Sequence, residues 1–338
     1  MRFGVGLFPT QPATRMRELV HGAERLGYDN VWFGDSQNIW RECFTAMAAS
    51  AVGTTRVVFG TGVTNAVTRH RSILASSFVT LSELTGGRAV VGIGAGDSAL
   101  RTMGQEPLRL AQLEHAIEEL RTLFRCGEVH DASSAAAYHL DYLDGPREIP
   151  IYVAASAPKI LRMAGRVADG VIALVGTDPS FVRAALSTIE AGASEAGRSL
   201  ADLDIVLWTP TAIEPEGAAA RDLVRAHVAR VVIRPLTAEI DAAQMTAVER
   251  IRQRYDYYHH MDPEALHGGE VPDELVNLFA LAGTEDECAA RLATLRQLGV
   301  DQIAIVPFTP PDGDRADTMA RFARIASIPA LDSPAARA

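Results

Sequence analysis

Four short stretches carry residue types and spacings that could do chemistry or hold a ligand. Asp35-Ser36-Gln37-Asn38-Ile39-Trp40 sets a carboxylate ahead of a tryptophan. A large aromatic in a polar loop either walls a planar ligand or plugs a barrel top. Asp35 taken alone reads as a helix cap or a loop carboxylate. Gly60-Thr61-Gly62-Val63-Thr64-Asn65 places two glycines in an apolar run. Glycine weakens a strand, so it marks a bulge or a close backbone approach. The choice lies between a barrel-corner kink and a bulge pressed against a flat ring. Gly92-Ile93-Gly94-Ala95-Gly96-Asp97 imitates a dinucleotide fingerprint but fails it, because Asp97 stands where GxGxxG needs its last glycine. What remains is a glycine loop whose amides can reach a ligand, with Asp97 as a carboxylate. Ala154-Ala155-Ser156-Ala157-Pro158-Lys159 puts small residues before a helix whose first turn can hold proline. Free N–H groups there, together with the helix dipole, favour an anion. Lys159 is the only lysine in the chain. A cation is not favoured at a helix N-terminus unless an anion joins it, so Lys159 is either part of a phosphate site or an exposed surface residue.

The elements that position these stretches alternate between strand and helix. Strands are expected at 3–7, 30–34, 57–63, 89–94, 151–154, 171–175, 205–213 and 303–306. Helices are expected at 15–26, 43–51, 71–84, 110–124, from Pro158, 181–196 and 319–328. The segment 96–108 reads as a loop and 138–142 as a short hairpin arm. Residues 218–259 and 272–282 read as helical, and Thr284 with Glu287 forms a capping box for a helix ending at Gly299. Strands that each feed a helix pair in parallel through right-handed crossovers. Eight of them favour a closed (β/α)8 TIM barrel over an open sheet. The expectation is one domain over 1–329, with insertions at about 97–148 and 214–283, then a frayed tail at 330–338. Active sites of such barrels lie at the C-terminal strand ends, where all four stretches fall.

Bulk properties narrow the partners. The net charge is -10 with no basic run, which argues against nucleic acid. No apolar stretch reaches the roughly 18 residues of a membrane span. Met1-Arg2-Phe3-Gly4 opens into a strand rather than a signal peptide. Cys43, Cys126 and Cys288 are far apart, without zinc spacing. Reduced thiols in a cytoplasmic protein and no metal site are expected.

Together these stretches resemble the bacterial luciferase-like flavin and deazaflavin oxidoreductases over nearly the whole chain. The similarity is closest to the methylenetetrahydromethanopterin reductase-like branch, which uses coenzyme F420. Thr68-Arg69-His70, Ala168-Asp169-Gly170-Val171-Ile172, Val271-Pro272-Asp273-Glu274-Leu275 and Phe279-Ala280-Leu281-Ala282-Gly283-Thr284 also carry it. The resemblance implies a non-prolyl cis peptide at Gly62-Val63 behind the ring. It places Asp35, Thr61, Thr64, Asn65, Gly94 and Gly96 around the cofactor, and its phosphate at Ala155, Ser156 and Ala157 with Lys159. Asp35 and Trp40 match the spacing of the sugar-phosphate dehydrogenases that use this deazaflavin, in which the tryptophan and a carboxylate matching Asp97 flank the reacting centre. Ser36 stands where those enzymes have histidine, which removes a general base and argues against glucose 6-phosphate as substrate.

The implied activity is hydride transfer between the deazaflavin C5 and a small organic substrate, a C=C, C=N or C=O bond or an alcohol, with Asp97 as acid/base and Trp40 as stacking wall. The alternative is an FMN-dependent monooxygenase fed by a separate reductase, which needs a dry pocket. A non-catalytic barrel is a third reading. A homodimer is expected. Tyr255, Tyr257, Tyr258, His259 and His260 form an aromatic cluster that either lines a substrate pocket or packs helices.

Overall fold

The computed structural model describes residues 1–130, 137–256 and 266–331. Eight parallel strands close into a barrel: β1 (Arg2–Leu7), β2 (Asn30–Phe33), β3 (Val58–Thr61), β4 (Ala89–Ile93), β7 (Ile151–Ala155), β8 (Gly170–Ala173), β9 (Asp204–Ile213) and β11 (Gln302–Pro307). They pair in that order, and β11 returns to β1. Their runs are apolar on both faces because one face meets the outer helices and the other fills the barrel. The helix α1 (Ala13–Arg25) shows the outer packing. Met16, Leu19, Val20 and Ala23 recur at helical spacing and are all buried.

Two tryptophans fill the barrel, and four glycines make room for them. A side-chain carbon on Gly4 or Gly60 would lie within 3.0 Å of the Trp32 ring. On Gly6 or Gly62 it would come within 2.7 Å of Trp208. The glycines flagged in the strand at 57–63 therefore serve the barrel core as well as the mouth. Burying a ring of this size contributes about 2–3 kcal/mol. Its polar edge needs a partner, and Trp32 Nε1 donates to Gln302 Oε1 at 2.9 Å. Gln302 Nε2 in turn donates to Asn30 Oδ1 at 2.7 Å.

Several segments differ from the sequence expectation. Asp97 to Arg101 is a helical turn, α4 (Asp97–Arg101), within the expected loop. The hairpin arm pairs β5 (Val129–His130) with β6 (Ala137–Tyr138), earlier than 138–142. The region 218–259 is not one helical run. It holds α8 (Gly217–Val232) and α9 (Ala242–Arg254), separated where Pro235 removes a backbone donor and disfavours helix in the residue before it.

Further along, α10 spans only Asp273–Phe279, and the expected helical stretch ends in a strand, β10 (Leu281–Gly283). β10 pairs with Thr211, Ala212 and Ile213 of β9, whose far end runs past β8 and needs a partner for its backbone. The capping box at Thr284 and Glu287 starts α11 (Glu285–Leu295), which stops short of Gly299. The last helix, α12 (Arg315–Ile325), begins earlier than 319 because Asp314 caps it. Among the described residues no helix is long and apolar enough to cross a membrane. The expected tail lies almost wholly outside the described residues, as do Tyr257, Tyr258, His259 and His260.

Candidate active site

A cavity of about 450 Å³ opens at the C-terminal ends of the barrel strands. Asp35, Trp40, Gly62, Val63, Asn65, Gly94, Gly96, Asp97, Ala155 and Ser156 all line it. They come from four strand ends spread over 121 positions of sequence, and closure of the barrel is what assembles them.

The floor is the segment after β3. The peptide bond between Gly62 and Val63 is cis. Gly94 faces it, and a side-chain carbon there would meet Val63 Cγ2 at 2.9 Å. Thr61 and Thr64 stand behind the wall instead of lining it. The Thr61 hydroxyl donates to the Gly92 carbonyl at 2.6 Å and accepts from the Gly92 N–H at 3.1 Å, tying β3 to β4. Thr64 Oγ1 donates to Asp35 Oδ2 at 2.7 Å.

Asn65 is 1 % exposed. Its Oδ1 accepts from the N–H groups of Val67 and Thr68 at 3.0 and 2.9 Å, which fixes the amide orientation. Its Nδ2 is buried without a hydrogen-bond partner among the described residues. An unpaired buried donor costs about 1–3 kcal/mol, so its place on a cavity wall points to a ligand acceptor.

Asp35 is buried and already engaged. It accepts from Thr64, from Gln37 Nε2 at 2.8 Å and from Arg69. Arg69 also donates to Glu42 Oε1 at 2.7 Å. Asp35 is therefore a fixed part of the wall, held by the Thr68-Arg69-His70 stretch. Trp40 stacks on Phe8 at 4.5 Å between ring centroids and 23° between planes. Gly34 permits this, since a side-chain carbon there would lie 2.2 Å from Phe8 and 2.7 Å from Trp40.

Asp97 sits at the start of α4, after Gly96, whose φ of 88° suits glycine. Its carboxylate is paired with Arg234 and, at 3.0 Å, with Arg101 Nε. Burial alone would raise its pKa. The charges of Arg234, Arg230 and Arg101 outweigh burial and hold the carboxyl below the ordinary aspartate range. As placed, Asp97 is ionised: it can accept a proton and has none to donate.

At the end of β7, Ala155 and Ser156 reach the cavity. Ala157 is the residue before α6 (Pro158–Val167) and does not line it. Lys159 is exposed on the second residue of α6 and lies off the cavity as well. A lysine there points outward because the first helical turn presents its amides, not its side chains, to the mouth. The cations at the cavity are Arg101 of α4, Arg230 of α8 and Arg234 in the turn beyond α8. Arg234 Nη1 donates to Ser156 Oγ at 3.3 Å, and Arg230 lines the same wall. Sequence reasoning missed this pair. Their spacing of four residues among apolar neighbours, within an expected helical stretch, was the available signal. Phe8 and Trp208 were missed too, being apolar residues with no local mark of a site. Among the described residues no cluster of metal-ligating side chains occurs.

The model of the luciferase-like monooxygenase family matches residues 1–302. A 5,10-methylenetetrahydromethanopterin reductase of Methanolobus tindarius is 32% identical over 329 residues, spanning 94% of this chain and 97% of that protein. An F420-dependent glucose-6-phosphate dehydrogenase of Beutenbergia cavernae is 32% identical over 227 residues, 60% of this chain and 65% of that protein. The structure of the coenzyme F420-dependent tetrahydromethanopterin reductase from Methanopyrus kandleri matches with a TM-score of 0.77 at 24% identity, covering 96% of this chain and 97% of that one. The same barrel thus sits on a matching sequence, and the chain belongs to the luciferase-like monooxygenase family.

Proposed function

We propose that this chain is a coenzyme F420-dependent oxidoreductase acting on a small organic substrate with a C=C, C=N or C=O bond or an alcohol. The observation that carries the reading is Asn65 Nδ2, buried on the cavity wall with no hydrogen-bond partner among the described residues, a donor suited to a ring that brings its own acceptors. The similarity to a 5,10-methylenetetrahydromethanopterin reductase and to F420-dependent enzymes supports the deazaflavin among such rings.

When bound, the deazaflavin supplies hydride transfer at its C5. Gly62 and Val63 back the ring, and Asn65 donates to it. Gly94 and Gly96 let the loop after β4 approach closely. Ala155, Ser156 and the start of α6 receive the phosphate. Trp40, braced by Phe8, walls the reacting side and excludes water. Asp97, ionised, accepts the proton released when an alcohol is oxidised. A cavity of about 450 Å³ is within the range of small-ligand sites. The expected homodimer belongs to the same reading, and light scattering of the purified protein measures it.

Titration of the protein with coenzyme F420 and, separately, with FMN, followed by fluorescence quenching, tests the assignment. Saturable quenching by F420 is expected. Tight binding of FMN with no response to F420 would give the barrel to a flavin monooxygenase instead.

A further inference from the structure

The cavity wall formed by α8 carries more positive charge than its surroundings neutralise. Arg230 and Arg234 both line the cavity, and the Asp97 carboxylate on the same cavity is paired with Arg234 and Arg101. Arg234 takes that carboxylate directly and touches Ser156 with its other nitrogen. The Nε of Arg230 is buried and has no hydrogen-bond partner among the described residues. Arg230 lies in the last turn of α8, where the helix dipole favours a cation. That effect offsets little of the cost of a buried guanidinium donor left unpaired. Burial and the neighbouring charge of Arg234 both lower the Arg230 pKa, opposed by Tyr255 and Asp97. Two planar cations, a serine hydroxyl and a helix N-terminus converge on one corner of the cavity, and a guanidinium matches an oxyanion in two hydrogen bonds.

We propose that Arg230 and Arg234 form an anion clamp for a phosphate or carboxylate of the bound molecules, with Asp97 holding Arg234 until that anion arrives. The clamp deepens the deazaflavin reading, since it specifies the charge recognised in the same cavity. Either the cofactor tail or the substrate can bring the oxyanion. In both cases Arg230 is the open half of the clamp and Arg234 the half occupied by an internal carboxylate. Exchange of Asp97 for the ligand anion leaves Arg234 paired throughout and gives Arg230 its missing acceptor.

The test uses the full-length protein and the variants Arg230→Met, Arg230→Lys and Asp97→Asn. Three probes are titrated: coenzyme F420, the deazaflavin riboside that lacks the phosphate tail, and inorganic phosphate followed by thermal shift. If the tail brings the anion, Arg230→Met weakens F420 by about tenfold or more and leaves the riboside unchanged. If the substrate brings it, both deazaflavins bind Arg230→Met as they bind wild type, and the thermal shift with phosphate is lost. In either case Arg230→Lys recovers part of the loss, and Asp97→Asn tightens the affected probe by removing its competitor. Unchanged binding of all three probes to Arg230→Met would overturn the clamp. Equal loss of F420 and riboside that Arg230→Lys does not restore would also overturn it, because the residue would then shape the cavity rather than carry charge. Failure of wild type to bind either deazaflavin removes the cofactor reading alone, and the phosphate probe still decides the clamp.

Discussion

The Thr61 hydroxyl bonds both backbone groups of Gly92, accepting from its N–H at 3.1 Å and donating to its carbonyl at 2.6 Å. The two residues are so close that a side-chain carbon on Gly92 would lie 1.8 Å from the Thr61 carbonyl oxygen. The strand end that carries Gly62 and Val63 is thereby clipped to the one that carries Gly94 and Gly96. Thr61→Val keeps the shape and removes the clip, and should cost about 1–3 kcal/mol. Gly92→Ala should cost more, because backbone must move to accept the methyl. Urea unfolding of both variants measures this, and a Thr61→Val protein as stable as wild type would show that the clip contributes nothing.

Asn65→Asp separates the two jobs of one side chain. The retained oxygen still accepts from Val67 and Thr68, so the turn after β3 should keep its form. The cavity, however, gains an acceptor where it had a donor. Cofactor affinity should fall about tenfold or more, and the melting temperature should fall as well, because the added carboxylate is buried without a partner for its second oxygen. Quenching titrations beside thermal melts distinguish the two effects.

The Asp97 ion pairs imply a defined pH dependence. Its side chain is 27% exposed and paired with Arg234, so the pairing should contribute about 1 kcal/mol. A carboxyl whose pKa is lowered by folding contributes fully above its unfolded value and loses that contribution as pH falls through the folded value. The stability difference between wild type and Asp97→Asn should therefore hold from neutral pH down to the ordinary aspartate value of 3.8 and shrink below it. A difference that faded between pH 7 and pH 5 would contradict a lowered pKa.

The cysteines should divide by burial. Cys126 is exposed, whereas Cys43 and Cys288 are buried. Burial is the main cause that pushes the Cys288 thiol up to about 12 and that of Cys43 well above its usual value. Thiolates, not thiols, react with alkylating reagents. Native protein treated with iodoacetamide at pH 8 should be modified once, at Cys126, by peptide mass analysis, and all three should react after denaturation.

Local signals in the chain decided the elements. Met16, Leu19, Val20 and Ala23 define the buried face of α1, and Thr284 with Glu287 starts α11, because these interactions span only a few residues. The same locality made the four strand-end stretches recognisable as one mouth once eight strands implied a barrel. Where a segment's partner is distant, the local reading failed. Leu281–Gly283 follows a helix-like run and becomes strand only because the far end of β9 offers an unpaired edge.

The cavity's electrostatics followed the same division. Lys159 stood next to the expected phosphate site in sequence, yet the cation beside Ser156 is Arg234, 78 positions away. Trp208 decides that Gly6 and Gly62 must be glycine, although nothing near either residue announces a tryptophan. Hydrophobic periodicity, caps and turns act over one or two helical turns, so the sequence by itself determined the elements, their order and the barrel. Charge pairing and core volume act between surfaces that meet only when the barrel closes, so tertiary structure alone decided which cations and which aromatic rings furnish the site.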